Sequence, residues 1–199
     1  MRPGKMRPVA RKKNPLRKTF TLCRTIALLA SLIFVPAFKS SAQVSAPTEY
    51  QIKAAFLYNF AKFVEWPPQT FVQAASPLVI GVLGKNVFGD DLARTIRNKT
   101  INNHPLEFKE FHSVSEATNC QILFISASEK DHFPKILEGL RGTSVLTVSE
   151  SDDFIKAGGM INFVEKGNKI RFQINEVAAK SAGLKVSAKL LSLAIHPVR

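Results

Sequence analysis

An amphipathic helix with an aromatic apolar face is the first regular pattern after residue 43. Thr48 and Gln51 have the spacing of a capping box, and Trp-Pro-Pro at residues 66–68 follows as a stop signal. A helix is therefore predicted from about residue 48 to residue 64. Its apolar face would be buried against a sheet, because these residues recur at helical spacing: Ile52, Ala55, Phe56, Asn59, Phe60 and Phe63.

Strands and helices alternate in the next part of the chain. Helical patterns occupy residues 90–98 and 131–140. Because strands that alternate with helices are joined by crossover connections, the sheet is predicted to be largely parallel. The runs with the length and β-branched content of strands are 78–83, 106–111, 121–126 and 144–148.

The pattern changes near the end of the chain. Residues 160–164 and 169–174, joined through Glu-Lys-Gly-Asn, predict an antiparallel hairpin. An amphipathic helical region broken at Gly183 then covers residues 175–194. The expected fold is an α/β domain of the three-layer Rossmann-like or flavodoxin-like kind, with a mostly parallel sheet and a C-terminal β-hairpin and helix.

The first 42 residues have the charge and hydropathy of an export signal. They contain ten Lys or Arg and no Asp or Glu, and an apolar run at 25–38 precedes Ser-Ser-Ala at 40–42. The run is shorter than the roughly 20 apolar residues of a membrane-spanning helix, and Pro36 interrupts it. Residues 1–42 are therefore predicted to be a signal cleaved near Ala42 on export to the periplasm, leaving no stable membrane anchor. An uncleaved anchor is the alternative.

Loss of this leader changes what the charge implies. The whole chain has 28 basic and 15 acidic residues and a formal net charge of +13, whereas residues 43–199 keep 18 basic and all 15 acidic residues, a net charge of +3. The sequence of that part shows no basic cluster with interleaved aromatic residues, so nucleic acid is not an expected partner. Residues 43–199 are predicted to form a single domain with one core.

Cysteine usage provides no internal disulfide for the exported part. Cys23 lies in the leader, so Cys120 is the one cysteine from residue 43 onwards. It precedes the apolar run 121–126, which favours a buried, inert thiol over a reactive one.

Catalytic signatures are missing from the sequence. Gly81, Gly84 and Gly89 do not have the spacing of a dinucleotide-binding fingerprint, and Lys85 lacks the flanking residues of a phosphate loop. The histidines show no metal-ligand spacing, and no Gly-x-Ser-x-Gly motif presents a nucleophile. The chain is therefore not expected to be an enzyme or to hold a cofactor.

Two segments together resemble the YfiR family of exported proteins. The first is YQIKAAFLYNFAKFVEWP at residues 50–67, and the second comprises GGMINFV at 158–164, KIRFQIN at 169–175 and AGLKVSAKLLSLA at 182–194. Shorter similarities at residues 81–84 and 120–129 extend the resemblance over nearly all of the chain after the leader.

The resemblance implies a periplasmic α/β protein that inhibits a membrane-bound diguanylate cyclase. Inhibition would come from binding the periplasmic sensor region of the cyclase, which would lower cyclic di-GMP and biofilm formation. Relatives under redox control carry paired cysteines, whereas this chain has Cys120 alone after its leader, which argues against disulfide control.

Packing explains the aromatic and glycine positions of the family segments better than their polar ones. Lys53 is one of the polar positions that packing does not readily explain. Arg171 lies on a strand between two apolar neighbours and must face away from them, where it could pair with Glu65 or meet a partner. Trp66 could be an exposed anchor or could pack the end of the first helix. The candidate partner-binding residues are Trp66, Glu65, Arg171, Asn162 and Asn175.

Other functions stay open at this point. A periplasmic small-molecule receptor, feeding a sensor kinase or an uptake system, would use the crevice at the carboxyl ends of the parallel strands, near residues 84–86 and 126–128. A hydrolase is the weakest alternative, because the required constellation is missing. The lysine-bearing face of the last helical region is also a candidate for self-association into a homodimer.

Overall fold

The structure, a computed structural model, describes residues 46–73 and 75–195, so the predicted export signal at 1–42 lies outside the described residues. None of the helices within these ranges has the length and apolarity needed to cross a bilayer. The helices are α1 (Glu49–Phe63), α2 (Asp91–Ile96), α3 (Val114–Ala117), α4 (Phe133–Gly139), α5 (Glu176–Ser181) and α6 (Ala188–Leu193). The strands are β1 (Val64–Glu65), β2 (Leu78–Leu83), β3 (Thr100–Ile101), β4 (His104–Phe111), β5 (Ile122–Ile125), β6 (Leu146–Ser149), β7 (Ile161–Glu165), β8 (Ile170–Ile174) and β9 (Lys185–Val186).

A seven-stranded sheet of order β3-β4-β2-β5-β6-β7-β8 forms the centre of the domain. Its five central strands are parallel, and antiparallel hairpins lie at both edges. The mostly parallel sheet and the C-terminal hairpin are therefore confirmed. The β3–β4 hairpin was not predicted: Asn102 and Asn103 adopt positive φ angles of 50° and 69° and make the tight turn, a conformation that asparagine tolerates.

Helices cover both faces of the sheet, which confirms the three-layer α/β architecture. One face packs against α1, α2 and α6, and the other packs against α3 and α4. The predicted capping box of α1 is present, since the Thr48 side chain accepts from the Gln51 backbone while the Gln51 side chain accepts from Thr48. As the pattern predicts, Phe60 is completely buried, and Phe56 and Phe63 pack against the same core while partly exposed. The predicted face is otherwise shifted, because Ala55 is exposed and the buried positions include Ala54, Leu57 and Ala61.

A short antiparallel pair of strands, which the sequence did not predict, joins the end of α1 to the C-terminal part of the chain. In the β1–β9 pair, Val64 lies opposite Val186, and the Ser187 backbone N–H donates to the Phe63 carbonyl at 2.9 Å. Gly183, with a φ of +77°, breaks the last helical region as predicted. Further on, the Ile195 N–H donates to the Phe172 carbonyl on the outer edge of β8, at 2.9 Å.

Candidate functional site

A crevice of about 460 Å³ opens beside the first turns of α1. Its walls come from α1, from the residues that follow β5 and β6, and from the top of the β7–β8 hairpin. It therefore lies at the carboxyl ends of parallel strands, the edge of an open α/β sheet where ligands usually bind.

The crevice contains a buried ammonium group held between two carboxylates. The side chain of Lys53 is 6 % exposed, and its Nζ donates to Glu49 Oε1, one helical turn earlier, and to Glu150 Oε2. Glu150 directly follows β6, and its side chain is 12 % exposed, whereas that of Glu49 is 54 % exposed. The same Nζ lies 4.8 Å from the ring centroid of Tyr50 and 5.9 Å from that of Phe163.

This cluster holds Lys53 in its charged form. Burial by itself would lower the pKa of Lys53, but hydrogen bonds to Glu150 and Glu49, together with the attraction of both carboxylates, outweigh burial and raise it. Tyr50 donates to Glu150 Oε1 at 3.4 Å, and burial and the negative charge of Glu150 raise the pKa of its hydroxyl. Glu150 is thus shared by an ammonium and a phenol, which fixes its position.

The lining of the crevice is acidic overall. Four carboxylates, those of Glu49, Glu150, Asp152 and Glu165, surround the single ammonium of Lys53. The arrangement suits a positively charged group better than an anion. Within the described ranges, no three His, Cys, Asp or Glu side chains are placed to hold a metal ion.

The residues that the sequence suggested for a crevice line it only in part, because Ala127, after β5, belongs to its wall, whereas residues 84–86, after β2, do not. The Lys85 N–H donates to Ser128 Oγ at 3.0 Å, and the Ser128 N–H donates to Ser126 Oγ at 3.4 Å. A Cβ atom at Gly84 would lie 2.6 Å from Ser128 Oγ, so the two loops are in direct contact. The crevice therefore includes the predicted residues after β5 but not those after β2, and it extends instead beside β6 and β7.

Trp66 and Glu65 lie at the other end of the sheet from the crevice. The Trp66 Nε1–H donates to the carbonyl of Gln121, just before β5, at 3.2 Å, and its half-buried ring packs against the main core. Glu65 is exposed and faces Lys185 across the β1–β9 pair. Trp66 therefore packs at the C-terminal end of α1 and is not a fully exposed anchor. Glu65 and Trp66 both line a separate cavity of about 290 Å³.

The other three sequence candidates are dispersed over β7, β8 and α5. Arg171 is exposed on β8, as its neighbours predicted, but no ion pair among the described residues joins it to Glu65, because Glu65 belongs to the separate β1–β9 pair. Asn175 caps α5 by accepting from the Ala178 N–H at 3.0 Å. Asn162 is 1 % exposed, and its Oδ1 has no hydrogen-bond partner among the described residues. None of the three lines the crevice.

The sequence of this domain matches one family over almost all of its described length. Residues 50–195 match the family model described as YfiR/HmsC-like. The chain belongs to the YfiR/HmsC-like family. This confirms the family resemblance of its opening and closing segments. No curated protein matches the chain significantly in sequence.

One solved structure shares the fold of this YfiR/HmsC-like domain at low sequence identity, and a second is similar to a lesser degree. The crystal structure of a conserved domain protein from Vibrio cholerae O1 biovar El Tor str. N16961 is similar with a TM-score of 0.52 and 9 % identity, over 77 % of this chain and 62 % of that one. An ABC domain in complex with L-Trp from Streptococcus pneumoniae gives a TM-score of 0.44 and 10 % identity, over 75 % and 60 %. The chain thus spans about three fifths of the solved structures that it matches.

The thiol of the YfiR/HmsC-like domain is buried in the folded state. Cys120 is 2 % exposed, and burial raises the pKa of its thiol to about 12. At about pH 8 we expect Ellman's reagent to leave Cys120 unmodified in the folded protein and to titrate it fully in denaturant, because the thiolate is the reactive form. Rapid modification without denaturant would contradict this.

Sequence reasoning missed most of the acidic crevice. Lys53 was recognised as unexplained by packing, and the Glu49–Lys53 spacing of one helical turn was a usable signal for an ion pair. Glu150 carried no such signal, because it lies 97 residues from Lys53.

Proposed function

We propose that this protein is an exported regulator that inhibits a membrane-bound diguanylate cyclase by binding its periplasmic sensor region, and so lowers cyclic di-GMP signalling and biofilm formation. The observation that carries the proposal is the YfiR/HmsC-like match over residues 50–195. Family membership supports regulation rather than catalysis. The basic leader, with its short apolar run, supports a periplasmic location.

The proposed mechanism is occupancy of one conformation of the cyclase. A binding protein can shift a two-state sensor only by the difference between its affinities for the two states. Inhibition therefore requires that the protein bind the inactive sensor more tightly than the active one.

Arg171 is the best test position among the sequence candidates for the contact surface. It is exposed on β8 and takes part in no ion pair among the described residues, so its replacement should not disturb the fold. Trp66 is less suitable, because its Nε1–H bonds to the Gln121 carbonyl and its loss would affect packing.

We expect the tagged protein, crosslinked in the periplasm of living cells, to capture a membrane diguanylate cyclase identified by mass spectrometry. Arg171→Glu is expected to lower the yield about tenfold, because exposed arginines that anchor an interface contribute roughly that much to affinity. Deleting the gene should raise cellular cyclic di-GMP, and restoring the gene with Arg171→Glu should not reverse the rise.

The control is Lys135→Glu, which reverses one charge in the same way. Lys135 is exposed on α4, on the other face of the sheet from α1, and takes part in no ion pair among the described residues. This variant should preserve capture and signalling. The cyclase proposal would be contradicted if the crosslinked protein captured only other copies of itself and deletion of the gene left cyclic di-GMP unchanged. That crosslinking result would support a homodimer.

A periplasmic small-molecule receptor is the second candidate function. The observation that favours it is the acidic crevice at the carboxyl ends of the strands, a location typical of ligand sites in this class of fold. Capture of a sensor kinase or a transporter component in the same experiment would support this candidate over the cyclase inhibitor.

A further inference from the structure

Two helices and the loop after α2 bring lysines and aromatic rings into one alternating row. The Tyr58 ring centroid lies 4.2 Å from Lys99 Nζ and 5.6 Å from Lys62 Nζ. The Phe63 ring centroid lies 6.0 Å from Lys62 Nζ and 5.2 Å from Lys189 Nζ. The lysine–aromatic row therefore runs Lys99, Tyr58, Lys62, Phe63, Lys189, from the loop between α2 and β3 across α1 to α6.

The lysines of this row form no direct ion pair. None of the ion pairs formed by the described residues includes Lys62, Lys99 or Lys189. Lys62 and Lys189 are exposed, and Lys99, Tyr58 and Phe63 are half-buried. A ring face attracts a cation without cancelling its charge, so three ammonium groups remain concentrated on one surface.

An apolar side chain lies beside the row. Leu193 follows Lys189 by one turn of α6 and is 51 % exposed. The surface thus combines lysines, aromatic rings and an exposed leucine, the composition of protein surfaces that rest at a membrane interface.

We infer that the lysine–aromatic row is a docking surface for anionic phospholipid headgroups. None of its residues lines the acidic crevice, and its two aromatic rings are only partly buried against the core. The negative charges of the headgroups complement the lysines of the row. Because the headgroups form a flat array, binding does not require a pocket of complementary shape. Docking would be peripheral and reversible, and it would concentrate the protein at the membrane without any anchor.

The geometry favours a lipid surface over a nucleic acid. The expectation that the exported part has no basic cluster with interleaved aromatics is corrected here, because folding assembles one from residues far apart in sequence. Single-stranded nucleic acid binds such clusters by stacking bases on free ring faces. The faces of Tyr58 and Phe63 are instead approached by the chain's own lysines.

The test is co-sedimentation of the exported protein with vesicles that contain phosphatidylglycerol, compared with vesicles of phosphatidylcholine alone. We expect binding only to the former, decreasing as salt rises from about 0.05 M to about 0.5 M. The triple variant Lys62→Gln/Lys99→Gln/Lys189→Gln should bind about one hundredfold more weakly, since each lysine near an anionic surface contributes roughly fivefold.

Two further variants keep the test decisive. Lys135→Gln/Lys166→Gln/Lys169→Gln removes the same charge from exposed lysines elsewhere and should bind like the unaltered protein. Lys62→Gln/Lys189→Gln changes only exposed side chains, so it separates lost binding from lost folding, and it should weaken binding about twenty-fivefold.

Equal weakening by both triple variants would overturn the inference, because binding would then follow net charge alone. Binding of a single-stranded oligonucleotide or an acidic protein without binding to phosphatidylglycerol vesicles would overturn it as well. The assay contains no cyclase, so its failure would leave the proposed function standing.

Discussion

Replacing Phe60 with alanine is expected to lower the free energy of unfolding by about 4 kcal/mol. Phe60 is 0 % exposed, and its ring centroid lies 5.1 Å from that of Phe172 and 5.8 Å from that of Phe163. Its removal would leave a cavity between α1 and the edge of the sheet, because several rings share this contact. Denaturant unfolding measured by circular dichroism gives the change.

Phe63→Ala is the matched control for this prediction. It makes the same substitution on the same helix, but Phe63 is half-buried, so a clearly smaller loss is expected. Equal losses for the two variants would show that the ring cluster around Phe60 is not the main source of α1 stability.

Lys53→Met is expected to lower the free energy of unfolding by about 3 kcal/mol. Removing one member of a buried ion pair typically costs about 3 to 5 kcal/mol, because its partner is left charged and uncompensated. The lower end of that range applies here, because Glu49 is more than half exposed and Glu150 keeps slight contact with water. The exposed variant Lys62→Met on the same helix should change stability by no more than about 0.5 kcal/mol.

The double variant Lys53→Met/Glu150→Leu separates the ion pair from packing. It should recover much of the loss, because an apolar pair leaves no unpaired buried charge. If the double variant is as unstable as the sum of its single variants, the pairing of Lys53 with Glu150 contributes nothing specific.

The pH dependence of the Lys53 contribution follows from its raised pKa. The folded protein holds the proton more tightly than the unfolded chain does, so the stabilisation is fully present below the unfolded pKa of about 10.4. It is lost as the pH rises through the higher folded value. The stability difference between the unaltered protein and Lys53→Met should therefore be constant from about pH 7 to pH 9 and shrink only in strong alkali.

Local patterns were sufficient to predict most of the secondary structure. The capping box at Thr48 and the hydrophobic period set α1, and β-branched runs placed β2, β5 and β6 to within two residues of their observed ends. The β7–β8 turn was visible because Gly167 and Asn168 suit the left-handed backbone that they adopt.

The candidate site was much less predictable, since it depends on contacts between distant residues. Lys53 meets Glu150 across 97 positions, and the lysine–aromatic row joins residues from three separate segments. No hydrophobic period or short motif specifies such pairs. Trp66 and Asn175 stood out in the sequence, but each has a structural partner, the carbonyl of Gln121 and the N–H of Ala178.

The β1–β9 pair has a consequence for the timing of folding if the chain is exported as proposed. The end of α1 is joined to Val186 and Ser187, more than a hundred positions later, and Ile195 then closes the edge of β8. A chain that crosses a membrane from its N-terminus exposes α1 first and these partners last. The pairing of β1 with β9 would therefore form only after nearly the entire chain had emerged, so the fold would be completed late in export.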